Sequence, residues 1–73
     1  MNILYTRHAK RRMKWRKISE DEIRSAIEHP DNVETTVKMR YNYFKLFGER
    51  ILKVTCNRQQ DDFQVITALW KGE

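Results

Sequence analysis

A chain of 73 residues reads as one small domain (1–73) that buries only about 60% of the surface its unfolded form exposes, leaving little room for an enclosed substrate cavity. Hydrophobic residues at 40% and aromatics at 11% suffice for a core and argue against disorder. The net charge is +5, and the single cysteine, Cys56, excludes an internal disulfide and fits a reducing compartment. No apolar run approaches the roughly 18 residues of a membrane span and no signal-peptide pattern opens the chain, so a cytoplasmic protein without membrane contact is expected.

Asn2 to Tyr5 is short and apolar, a first edge strand or an extended lead-in. Thr6 then caps a helix reaching to Trp15 or Arg16. Seven of the fifteen Lys and Arg residues lie between Arg7 and Lys17, with no acidic residue among them. The positive excess is therefore local, as in proteins that meet phosphate. Tyr5, Ala9 and Met13 form a narrow apolar stripe, and Arg7, Lys10, Arg11, Lys14 and Lys17 occupy the opposite side. His8, Arg12 and Trp15 line one border, where a half-buried position is expected. Charged runs are usually solvated faces. Here, however, no acid stands at i±4, and Arg7 and Lys10 oppose the helix dipole, which favours anion binding.

The second helix is well specified. Ser19 and Glu22 make a capping box, Glu20 and Asp21 add negative charge to the first turn, and Ile18 with Ile23 can form a hydrophobic staple. Ile23, Ala26 and Ile27 give its buried face, and Pro30 ends it. Its acidic start would face phosphate with three carboxylates, which argues against it as the recognition helix of a DNA-reading helix-turn-helix.

Beyond this point the period changes to two, and strands are predicted over Val33–Met39, Asn42–Phe47, Ile51–Asn57 and Phe63–Trp70. Short links favour an antiparallel meander under two helices, an α+β fold of order ααββββ. A three-residue loop, Gly48-Glu49-Arg50, would set Leu46 against Leu52 and Phe44 against Val54, with Lys45 opposite Lys53 on the other face. A two-residue loop would set Leu46 against Ile51 and Phe44 against Lys53, mixing core with charge. The longer loop is therefore expected, with Ile23, Ile27, Phe44, Leu46, Leu52, Val54 and Cys56 in one core. Paired lysines flanked by tyrosines would make an anion platform.

Other chemistry finds little support. His8 serves more often as a capping or packing group than as a catalyst, although an imidazole among cations suits proton transfer or phosphate contact. Arg12 is expected to pair with Glu28 or Glu34. His29 suits a helix C-terminus, and Cys56 alternates in phase with core positions. His8, His29 and Cys56 lack any zinc spacing, and there is no Gly-rich phosphate loop, so no metal and no cofactor is expected.

The residues Tyr5-Thr6-Arg7-His8-Ala9, Arg12-Met13, Ile18-Ser19-Glu20, Ile23 and His29-Pro30 resemble a family of small prokaryotic proteins of unknown function. Its members open T-[KR]-H-A-x-x-R-M and carry a late V-x-T that Val65-Ile66-Thr67 matches. That family is similar in layout to RelE/ParE-like and BrnT-type toxins of toxin–antitoxin systems. The resemblance implies two helices packed on a four-stranded antiparallel sheet and a metal-independent endoribonuclease, free or ribosome-associated, with an antitoxin as protein partner. It offers Lys45, Lys53, Tyr41, Tyr43 and Arg50 at strand positions. Lys45, Lys53 and Tyr43 are then the catalytic candidates together with His8, and Tyr41 and Arg50 join the helix cations Arg7, Lys10, Arg11, Lys14 and Lys17 as RNA-binding candidates. The leading expectation is a toxin-like RNA-binding protein, with ribonuclease activity as its catalytic form. The alternatives are a non-catalytic nucleic-acid- or partner-binding module and a plain structural subunit.

Overall fold

The computed structural model describes residues 1–37 and 39–72. In chain order the elements are β1 (Asn2–Tyr5), α1 (Arg7–Arg16), α2 (Glu20–Glu28), β2 (Asn32–Thr35), β3 (Arg40–Phe47), β4 (Arg50–Gln59) and β5 (Asp62–Trp70). They form one five-stranded sheet of order β1-β5-β4-β3-β2. Four strands make the expected antiparallel meander. The fifth, β1, pairs parallel with β5, so the sheet is mixed and the order is βααββββ rather than ααββββ.

Both helices form as their sequences dictate. The Thr6 side chain accepts from the Ala9 amide at 3.0 Å, and Ala9 and Met13 enter the core. Ser19 and Glu22 cap α2 reciprocally, and Ile18, Ile23, Ala26 and Ile27 are all buried. The strand expected over Val33–Met39 is only the short edge strand Asn32–Thr35, entirely exposed; Lys38 lies outside the described residues.

The central correction is the register between β3 and β4. Phe47 pairs with Arg50, Leu46 with Ile51, Lys45 with Leu52, Phe44 with Lys53 and Tyr43 with Val54. The connection is the two-residue turn Gly48-Glu49, with Gly48 at φ 63. Glycine in the first central position is what a two-residue hairpin turn selects, because a positive φ there matches the twist of the flanking strands. Turn chemistry thus overrides the pairing of apolar with apolar, and a one-residue shift moves the whole of β3 to the other face.

Phe44 and Leu46 consequently leave the core, and Leu46 is 55% exposed. Tyr43 takes the buried position instead, 4% exposed, with Tyr41 and Phe47 packed beside it. Lys45 and Lys53 lie on opposite faces of the sheet, so the expected lysine platform does not form.

The last strand changes phase as well. Thr55 pairs with Thr67 and Cys56 with Val65, leaving Ile66 as the extra residue of a β-bulge. Phe63 and Val65 face the helices before it, and Ala68 and Trp70 after it. Leu52, Val54 and Cys56 of the neighbouring strand complete a core against which α1 and α2 pack.

Truncating Leu52, fully buried, to Ala should destabilise by about 2–5 kcal/mol through lost contacts and a residual cavity. Leu46→Ala, on the exposed face, should stay within about 1 kcal/mol. Urea melts of the two variants check this, and equal losses would contradict the observed register.

Candidate nucleic-acid interface

α1 is fixed to β5 at both ends. At its start the Thr6 amide donates to Val65 O at 3.1 Å and its hydroxyl reaches Ile66 O at 3.4 Å, both carbonyls belonging to the bulge. At its end Arg16 Nη1 donates to Ala68 O at 2.9 Å, and Trp70 Nε1 donates back to Arg16 O at 3.2 Å. Lys17 closes the helix in the left-handed region, and the Ile18 amide bonds Met13 O at 2.8 Å. With Ala9 and Met13 facing inward, the rest of the helix has no choice but to face water.

That outer surface holds two parallel rows. His8, Arg11, Arg12 and Trp15 stand at i, i+3, i+4 and i+7 and, with Lys14, line a shallow groove of about 500 Å³. Arg7, Lys10, Lys14 and Lys17 form the second row and are exposed. Among the described residues, Arg7, Lys10, Arg11, Lys14 and Lys17 form no ion pair. The helix therefore presents concentrated, unneutralised positive charge, with no acid in its first turn.

Within the groove, Arg12 Nε donates to His8 Nε2 at 3.4 Å. The guanidinium carbons of Arg12 and Arg16 lie 5.6 and 5.7 Å from the centre of the Trp15 ring. Arg12 meets His8 and Trp15 rather than Glu28 or Glu34. Trp15, expected to be half buried, is 72% exposed. Its exposure was legible from spacing: two residues beyond Met13 is about 200° around the helix, nearly opposite the core.

The remaining candidates lie elsewhere. Lys45 donates from Nζ to His29 O at 2.8 Å, closing the C-terminal end of α2 where a cation is favourable. Lys53 sits half buried on the face away from the helices, between Phe44 and Leu69 in the ladder. The Tyr41 ring lies tilted beside Tyr43, 6.3 Å between centres, and the Arg50 guanidinium covers the Trp70 ring at 4.0 Å. The fold brings Arg7, His8, Lys10, Arg11, Lys14 and Lys17 together, but not Lys45, Lys53, Tyr43, Tyr41 or Arg50.

The buried groups are chemically quiet. The Tyr43 hydroxyl is enclosed with no partner at hydrogen-bonding geometry; burial raises its pKa, the Cys56 thiol adds to the rise, and Arg58 opposes it. Burial pushes the Cys56 thiol from 9.0 to about 12, again against the pull of Arg58. Neither group is an anion near neutral pH, so neither serves there as base or nucleophile. Among the described residues no cluster of three His, Cys, Asp or Glu side chains could hold a metal ion, and no helix is long and apolar enough to cross a membrane.

Lys45→Met should lower stability by about 0.3–1 kcal/mol through loss of the α2 C-terminal contact, whereas Lys53→Met should change it little. Thermal melts of both variants check this; an unchanged Lys45 variant would remove the capping role.

No curated protein and no solved structure matches the chain. A family model does match, over residues 5–70, nearly the whole chain. The small family of unknown function expected from the sequence is found at that level. The chain belongs to DUF4258, a family described as a domain of unknown function.

Proposed function

We propose that this protein is a toxin-like RNA-binding module that tracks the phosphate backbone along α1. One observation carries the reading: the cations Arg7, Lys10, Arg11, Lys14 and Lys17 are exposed on a single helix and form no ion pair among the described residues. Leaving them so close together is electrostatically unfavourable for the free protein, and a polyanion relieves it. The choice of RNA rests on the resemblance to RelE/ParE-like and BrnT-type toxins. An acidic antitoxin segment would compete for the same cations.

Binding is better supported than cleavage. Of the four groups offered for catalysis, Lys45 caps α2, Tyr43 is enclosed in the core and Lys53 lies on the far face. His8 alone stands where the RNA would lie, beside Arg12. A ribonuclease reading therefore depends on His8 moving the proton of the attacking 2′-hydroxyl while the α1 cations hold the phosphate. Incubation with RNA in EDTA, with product ends examined for cyclic phosphate, separates the two readings.

Binding should weaken steeply with salt. Replacing Arg7, Lys10 and Arg11 together by Gln should flatten the slope of log K against log[salt] by about 2, with similar losses across unrelated RNA sequences. Fluorescence anisotropy across a salt series measures this, and an unchanged slope would make α1 an ordinary solvated face.

A further inference from the structure

An indole left largely in water is unusual, and Trp15 is 72% exposed at the centre of the most basic surface of the molecule. It contributes nothing to the core, which Ala9 and Met13 supply from the opposite side of the helix. It has two cationic neighbours. Arg12 and Arg16 lie 5.6 and 5.7 Å from the ring centre, and Arg16 is itself held by the Ala68 carbonyl at 2.9 Å. A flat, apolar surface thus stands open to solvent with cations around it.

Phosphate contact alone needs no aromatic. Paired strands keep their bases stacked on one another and offer an exposed ring nothing but their backbone. Unpaired bases present a free π-face, and stacking on an aromatic in a basic groove is the usual mode of single-strand recognition. An anionic membrane would want several apolar side chains beside the cations, whereas this face offers one.

We infer that the α1 groove binds single-stranded RNA, with one unpaired base stacked on Trp15 and the flanking phosphates held by Arg11, Arg12 and Lys14. This rests on the RNA-binding reading above and adds its substrate class.

The test compares an oligoadenylate of about ten nucleotides with an RNA duplex of similar length, at one low salt concentration, using wild type, Trp15→Ala and Trp15→Phe. The other tryptophan, Trp70, is buried at 3% exposure, so quenching of the accessible fluorescence reports on Trp15. The expected result is quenching by the oligoadenylate and a loss of roughly ten- to hundred-fold in its affinity for Trp15→Ala. Trp15→Phe should recover much of that affinity, while duplex binding stays unchanged. Equal losses for oligoadenylate and duplex, or undiminished oligoadenylate binding by Trp15→Ala, would overturn the inference while leaving RNA binding intact. Failure of the wild type to bind either RNA would overturn both.

Discussion

The seating of α1 on β5 is the constraint on which the rest of the molecule depends. Thr6 bonds the Val65 and Ile66 carbonyls of β5, and at the other end of the helix Arg16 donates to Ala68 O while the Trp70 indole N–H donates to Arg16 O. Between these ties only Ala9 and Met13 point inward, so a ten-residue helix with seven cations in and just after it is held with its charge outward. The bulge rotates β5 so that Ala68 and Trp70 can join the core that Phe63 and Val65 begin. Without the extra residue Ile66, one half of β5 would turn its apolar side away from the helices.

Local charge on α1 is opposed by its own helix. Arg7 and Lys10 stand where the macrodipole disfavours them, while α2, next in sequence, carries three acids at its start and a capping box. Two adjacent helices built under the same rules and obeying them so differently mark α1 as the element shaped for something other than stability. Local rules are broken most often at functional sites.

Much of the fold could be read in advance because its signals are local. Thr6, Ser19, Glu22 and Pro30 bound the helices, and Ile23, Ala26 and Ile27 define a buried face by spacing alone. What failed was long-range. Apolar matching across β3 and β4 favours a three-residue loop; Gly48 at positive φ instead makes the turn two residues long. The consequence reaches the site, because Tyr43 enters the core while Lys45 is drawn to the end of α2. The parallel pairing of β1 with β5 joins the two ends of the sequence, and nothing in Asn2–Tyr5 names its partner strand. On α1, by contrast, the cations were legible from composition. Trp15 differs from the expected stripe border because the buried side of the helix is as narrow as Ala9 and Met13, and two residues past Met13 the chain has turned well away from it.

The face of the sheet away from the helices is the natural rival to α1. It carries Phe44, Leu46 and Ile51, with Lys71 5.3 Å from the Phe44 ring and the acids Asp31 and Glu34 along the same shallow groove. Its mixed charge and apolar side chains suit a protein surface better than a polyanion. Titrating the ¹⁵N-labelled protein with single-stranded RNA and following amide and indole shifts distinguishes the two surfaces directly. The account predicts that perturbations concentrate on Arg7–Lys17 and the Trp15 indole N–H. Perturbations centred on Phe44, Lys53 and Lys71, with α1 silent, would contradict it.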